Sequence, residues 1–110
     1  MTSNNKLRVT KDYSKLSDEL QEQIKLVYPE GFSQFLIQYT DKDGKRQSAL
    51  RFETDDKIYL VRMTTEEAED IISNDEDYDE YGSLRDDVRD EYEDKYSDVD
   101  YLTDNENYDG

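Results

Sequence analysis

Between Ser14 and Tyr28 the apolar positions Leu16, Leu20, Ile24, Val27 and Tyr28 recur at steps of four, four, three and one. That spacing predicts an amphipathic helix with one apolar stripe. Pro29 opposes a helical conformation at Tyr28, and Gly31 tolerates positive φ, so the chain is expected to turn out of the helix there. Upstream, residues 1 to 5 carry no apolar period. Leu7 and Val9, alternating with Arg8 and Thr10, predict a short strand.

Downstream the period changes from helical to alternating. Phe35 to Thr40 is rich in aromatic and β-branched residues, Asp41-Lys42-Asp43-Gly44 supplies turn chemistry, and Ser48, Leu50 and Phe52 alternate within Gln47 to Glu53. Together they predict a hairpin. A second polar turn, Thr54 to Lys57, leads into Ile58-Tyr59-Leu60-Val61-Arg62-Met63, whose large apolar residues fall on both faces. Both faces of that strand should therefore need cover. Thr64 reads as an N-cap, with Glu67 as its capping-box partner and Met63 with Ala68 as a hydrophobic staple, opening a second helix that buries Ala68, Ile71 and Ile72. The prediction is an α+β fold: a three-stranded antiparallel meander packed with two helices, which the Leu7 to Val9 strand can extend as a fourth.

Charge then divides the chain. Residues 1 to 63 hold 11 basic and 10 acidic side chains, whereas residues 64 to 110 hold 3 and 20, for a net charge of −16. The asymmetry predicts a small α+β domain over residues 6 to 74, followed by an acidic, tyrosine-rich arm over residues 75 to 110. Asn74 to Tyr81 has no apolar period and predicts a loop. Leu84, Val88, Tyr92 and Tyr96 repeat at steps of four and predict a third helix over residues 83 to 96. So narrow a stripe is marginal alone, so this helix is expected to dock on the uncovered face of the Ile58 to Met63 strand. Ser97 to Gly110 has few anchors and is expected to be disordered until bound.

Composition removes several function classes. With no His and no Cys in 110 residues, thiol or histidine nucleophiles, a histidine base, Cys/His zinc sites, disulfides and thiolate-ligated iron–sulfur clusters are excluded. No basic leader precedes an apolar run, and no apolar run approaches the roughly 18 residues of a membrane span, so a soluble, cytoplasmic protein is expected. Two-metal nucleotidyl transfer needs rigidly placed carboxylates. Asp41 with Asp43 sits in a turn, and Asp75 with Asp77 and Asp98 with Asp100 sit in acidic runs. No catalytic residue and no cofactor is predicted.

Two further chemistries use the acids directly. Asp75, Asp77 and Asp79 occupy the first three ligand positions of an EF-hand-like loop between two predicted helices, with Asp86 at the twelfth, although Glu80 stands where glycine makes the sharp turn. These four form a candidate low-affinity calcium site. Direct nucleic-acid binding is opposed by the charge, since the only basic turn is Lys42 to Arg46. Nucleic-acid mimicry is the opposite idea. A helix over residues 83 to 96 spans about 21 Å, over which duplex DNA carries about 12 charges. The helix has six acids and three bases, so mimicry needs the neighbouring acidic loop and tail to fold alongside.

Six of the ten tyrosines fall in the last 33 residues, interleaved with carboxylates. Tyr78, Tyr81, Tyr92, Tyr96 and Tyr101 are candidate partner-binding residues, because tyrosine offers contact area at low entropy cost. The alternative is that tyrosine is the apolar residue an acidic segment tolerates best. Tyr108 completes the set.

The helix ending Tyr28-Pro29-Glu30-Gly31-Phe32, the run from Phe52 to Met63 and the acidic tail, in that order, resemble a family of short acidic bacterial proteins of unassigned function. Some members carry the label DNA primase. The likeness covers about Tyr13 to Tyr96 and implies no catalytic residue, because the family has no established active site to transfer. From the residues themselves, the expected function is a non-catalytic protein-interaction module. It would engage a basic surface of a partner, such as a nucleic-acid-handling protein, through its acidic arm.

Overall fold

In the computed structural model, which describes residues 6 to 102, Ser17 sets the start of the first helix. Its side-chain oxygen accepts the Leu20 N–H at 3.2 Å, satisfying one of the free donors of the first turn. Helix α1 therefore runs Asp18–Val27. The expected earlier start is replaced by a single 3-10 turn, Tyr13–Lys15. Leu16 lies in the extended link between them yet remains buried. The second helix, α2 (Thr65–Ser73), opens on the predicted capping box. Thr64 Oγ1 accepts the Glu67 N–H at 3.0 Å, and the Glu67 carboxylate accepts the Thr64 N–H at 2.9 Å.

Four strands form one sheet in the order β1-β4-β3-β2: β1 (Leu7–Asp12), β2 (Ile37–Thr40), β3 (Arg46–Glu53) and β4 (Lys57–Arg62). The meander β2-β3-β4 is antiparallel as expected. The fourth strand is present and pairs parallel to β4, so the sheet is mixed. Parallel pairing needs a long crossover, and α1, β2 and β3 together provide one. The register places Leu50, Phe52, Tyr59 and Val61 on one face, and Ala49, Arg51, Ile58, Leu60 and Arg62 on the other. Leu50, Phe52 and Val61 join Ile24, Phe32, Met63 and Ala68 in the hydrophobic core.

The third helix, α3, spans Asp86–Lys95, three residues later than the pattern suggested. It packs against α1, which corrects the expectation that it would cover the second face of β4. Tyr78, Leu84, Tyr92, Tyr96 and Leu102 are all buried and belong to the same cluster as the side chains of α1, α2 and the sheet. The charge boundary near Asn74 is thus not a packing boundary. Of the stretch expected to be disordered, residues 97 to 102 are placed, with Leu102 buried. Residues 103 to 110, including Tyr108, lie outside the described residues.

This integration has a measurable consequence. Leu84→Ala should lower unfolding free energy by about 3 kcal/mol, the cost of a core cavity. Urea denaturation of the full chain measures it, and a loss under about 0.5 kcal/mol would mark Leu84 as a surface residue of an appended arm.

Candidate functional site

Gln23, Ile24, Lys25 and Leu26 are consecutive and all buried. At about 100° per residue they sweep most of the helix circumference, so α1 is covered on nearly every side. Ile24 and Leu26 join the apolar core. Gln23 and Lys25 instead face the acidic segment. The Lys25 ammonium lies 2.6 Å from Asp75 Oδ2 and 2.8 Å from Asp77 Oδ2, with only 10% of its side chain exposed. Asp77 Oδ2 also accepts the Tyr92 hydroxyl at 2.7 Å. Burial opposes charge on Asp77, but hydrogen bonds from Lys25 and Tyr92 outweigh it and hold the carboxyl below its ordinary range. Burial likewise disfavours the Lys25 ammonium, and its two carboxylate partners overcome this and raise its pKa.

One turn earlier, Glu22 receives α3. Its Oε1 accepts Lys95 Nζ at 2.8 Å and the Tyr96 hydroxyl at 2.6 Å. Desolvation of Glu22 is again outweighed by these two hydrogen bonds, so its pKa is lowered. The Tyr96 hydroxyl is pushed up to about 12 by burial and by the adjoining carboxylate. Tyr101 donates to Gln23 Oε1 at 2.6 Å. Glu22, Gln23 and Lys25, interrupted only by the apolar Ile24, thus hold the acidic segment in place.

Between α2 and α3 the acidic segment makes a miniature hairpin. Tyr78 and Leu84 pair across it. Asp79 Oδ1 accepts the N–H groups of Tyr81 (2.9 Å) and Ser83 (3.0 Å), the Gly82 N–H bonds to Asp79 O, and Gly82 takes φ 83°. The β2-β3 turn has the same construction. Asp41 Oδ1 accepts the N–H groups of Asp43 and Lys45 at 2.9 Å each, the Gly44 N–H bonds to Asp41 O, and Gly44 has φ 83°. The chain therefore contains two Asp-x-x-Gly turns, and the second was recognisable from the first. Only glycine adopts that φ without strain.

The second turn presents Tyr81, which is 84% exposed. Beside it, a groove of about 390 Å³ runs between the turn, the end of α2 and the α1-β2 connection. Phe32, Ala68 and Ile72 give it an apolar floor, and Glu30, Glu69 and Glu80 line it with acids. The last turn of α2 has no basic residue, so the negative end of its dipole adds to these carboxylates. Ser83 Oγ donates to Glu30 Oε1 at 2.9 Å, tying the turn to the opposite wall. A flat cationic or long aliphatic ammonium group suits such a groove, since its stem meets the floor and its charge meets the rim.

The sequence-derived site residues separate into two groups. Asp75 and Asp77 are committed to Lys25, Asp79 to its own turn, and Asp86 stands in the first turn of α3. Among the described residues, no three acids converge to hold a metal ion. The proposed calcium set is therefore dispersed, with a lysine ammonium standing where a cation was expected. Tyr78, Tyr92 and Tyr96 are core residues, Tyr101 is half-buried on Gln23, and Tyr81 alone of the five is freely exposed. The groove walls Glu30 and Glu69 were missed, because Glu30 comes from the distant α1-β2 connection and Glu69 from a helix whose facing side the sequence does not give.

The ion network predicts an acid-labile fold. Asp77 and Glu22 have depressed pKa values, so their stabilisation is complete above the ordinary carboxylate range and disappears as pH falls through their lowered folded values. Urea midpoints should accordingly drop across that interval. Asp77→Asn should cost about 2 kcal/mol at neutral pH and flatten part of the acid limb, whereas an unchanged limb would remove Asp77 from the network.

No helix among the described residues is long and apolar enough to cross a membrane. No protein-family model matches the chain, and neither a curated protein nor a solved structure matches it.

Proposed function

We propose that the protein is a non-catalytic interaction module whose acidic side engages a basic surface of a partner protein, with the groove beside Tyr81 receiving a lysine or arginine side chain. The observation that carries this reading is the pairing of a fully presented aromatic ring with a carboxylate-lined groove whose floor is apolar. Long-range attraction raises the encounter rate, and the floor and Tyr81 supply short-range contact. Proteins that handle nucleic acids are one class presenting such basic surfaces.

The alternatives are less well supported. Helix α3 is about 15 Å long and carries six acids and two bases, against about nine charges on duplex DNA of that length. In the hairpin Asp75 and Asp77 share one Lys25 ammonium and Asp79 accepts from its own turn, which leaves Glu76 and Glu80 as its exposed acids. Calcium binding would require Lys25 to be displaced from both of its partners.

A lysine- and arginine-rich peptide, titrated into the labelled full chain and followed by NMR, tests the reading. Shifts should centre on Glu69, Glu80 and Tyr81, weaken as salt is added, and lose about tenfold in affinity with Tyr81→Ala combined with Glu80→Gln. Affinity indifferent to ionic strength would overturn the electrostatic reading. Millimolar calcium should leave the Asp75 to Asp86 amides unmoved.

A further inference from the structure

The face of the sheet turned away from the helices carries a second, chemically different surface. The register places Ala49, Ile58 and Leu60 on it with Ile37 and Tyr39 of β2. Ala49 is fully buried among its neighbours, Tyr39, Ile58 and Leu60 are half-buried and stand outside the core cluster, and Ile37 is 40% exposed. Arg8, Arg51 and Arg62 lie on the same face with Asp12 and Glu53, and the ammonium of Lys6 reaches Glu53. Asp41 adds a third carboxylate, bonded to Gln47 on this face, so four cations against three carboxylates leave it about +1 on a chain of −16. Arg62 is paired with Asp12 and Arg51 with Glu53, while Arg8 is exposed and has no ion-pair partner among the described residues.

Size decides between occupants. Four strands about 4.8 Å apart and about six residues long present roughly 400 Å². A stable dimer buries about 800 Å² per partner, so a second copy seated here would fall short about twofold while bringing two strongly acidic chains together. One helix, about 10 Å across, fits the footprint and would give the sheet a helical layer on each side. We infer that this face seats an amphipathic helix of a partner protein, with an aliphatic stripe against Ile37, Ile58 and Leu60 and acidic flanks against Arg8, Arg51 and Arg62. This surface is distinct from the acidic groove and independent of the reading given for it.

The test uses the labelled full chain and two synthetic amphipathic helical peptides with one leucine stripe, the first flanked by glutamates and the second by lysines. The glutamate peptide should produce saturable amide shifts on β2 and on Arg8, Arg51, Ile58 and Leu60. Arg8→Glu should weaken it about tenfold, and Ile37→Asp, at the exposed edge, should abolish it while circular dichroism stays unchanged. The lysine peptide should spare this face. Three results would overturn the inference: no saturable shift at millimolar glutamate peptide, equal affinity of both peptides for the face, or sedimentation showing self-association that Ile37→Asp abolishes.

Discussion

A lysine ammonium removed from water costs several kcal/mol unless carboxylates replace its hydration shell. Lys25 meets that condition only when Asp75 and Asp77 are folded over α1. The requirement is stringent because it fixes geometry as well as charge. Asp75 Oδ1 accepts the Asp77 N–H at 2.8 Å, shaping the turn that presents both carboxylates. Asp77 in turn accepts Tyr92 and so sets the position of α3. One buried cation thereby orders an acidic stretch that would otherwise repel itself. The apolar side chains Tyr78 and Leu84 then complete the core from the same stretch.

Tyrosine has a part in this that phenylalanine could not take. An acid-rich segment with few cations needs neutral donors to satisfy the carboxylates it draws inward, and a buried phenol supplies both contact area and a proton. Tyr92 serves Asp77 and Tyr96 serves Glu22. Tyr78 reaches the carbonyl of Tyr28 at 3.0 Å. Their hydroxyls have raised pKa values, chiefly through burial and then, for Tyr92 and Tyr96, through the carboxylates they bind and, for Tyr78, through Tyr13 ahead of nearby acids, so the donors keep their protons. Tyr13 differs, since its buried hydroxyl has no hydrogen-bond partner among the described residues.

Local patterns were legible where one short-range rule decides the structure. The capping box at Thr64 and Glu67, the β2-β3 turn and the antiparallel meander all belong to this class. The parallel pairing of β1 was not legible, because it depends on where a long crossover delivers β4. The packing of the residues beyond Asn74 was illegible for a different reason. Net charge describes the solvated side chains, and in an amphipathic segment it is silent about the few that are buried. Tyr78, Leu84, Tyr92 and Tyr96 decide the packing of residues 75 to 102 while the acids around them decide only its exterior. The groove was illegible because Glu30, Glu69 and Glu80 meet only after folding.

In the proposed interaction, the same partition would give so acidic a chain a selective surface. Carboxylates drawn inward, those of Asp75, Asp77 and Glu22, already have lysine and tyrosine partners and contribute little to the outer field. Those of the groove have no ion-pair partner among the described residues. Field strength alone attracts any basic protein, and at physiological salt it decays over about 8 Å. Discrimination must therefore come from contact, and contact depends on shape. Phe32 and Ile72 lie at the floor and Tyr81 stands at the edge, held by an Asp79 turn whose backbone donors are internally satisfied. Electrostatic reach and rigid presentation thus arise from one hairpin, with its inner acids fixing the turn and its outer acids left free to act.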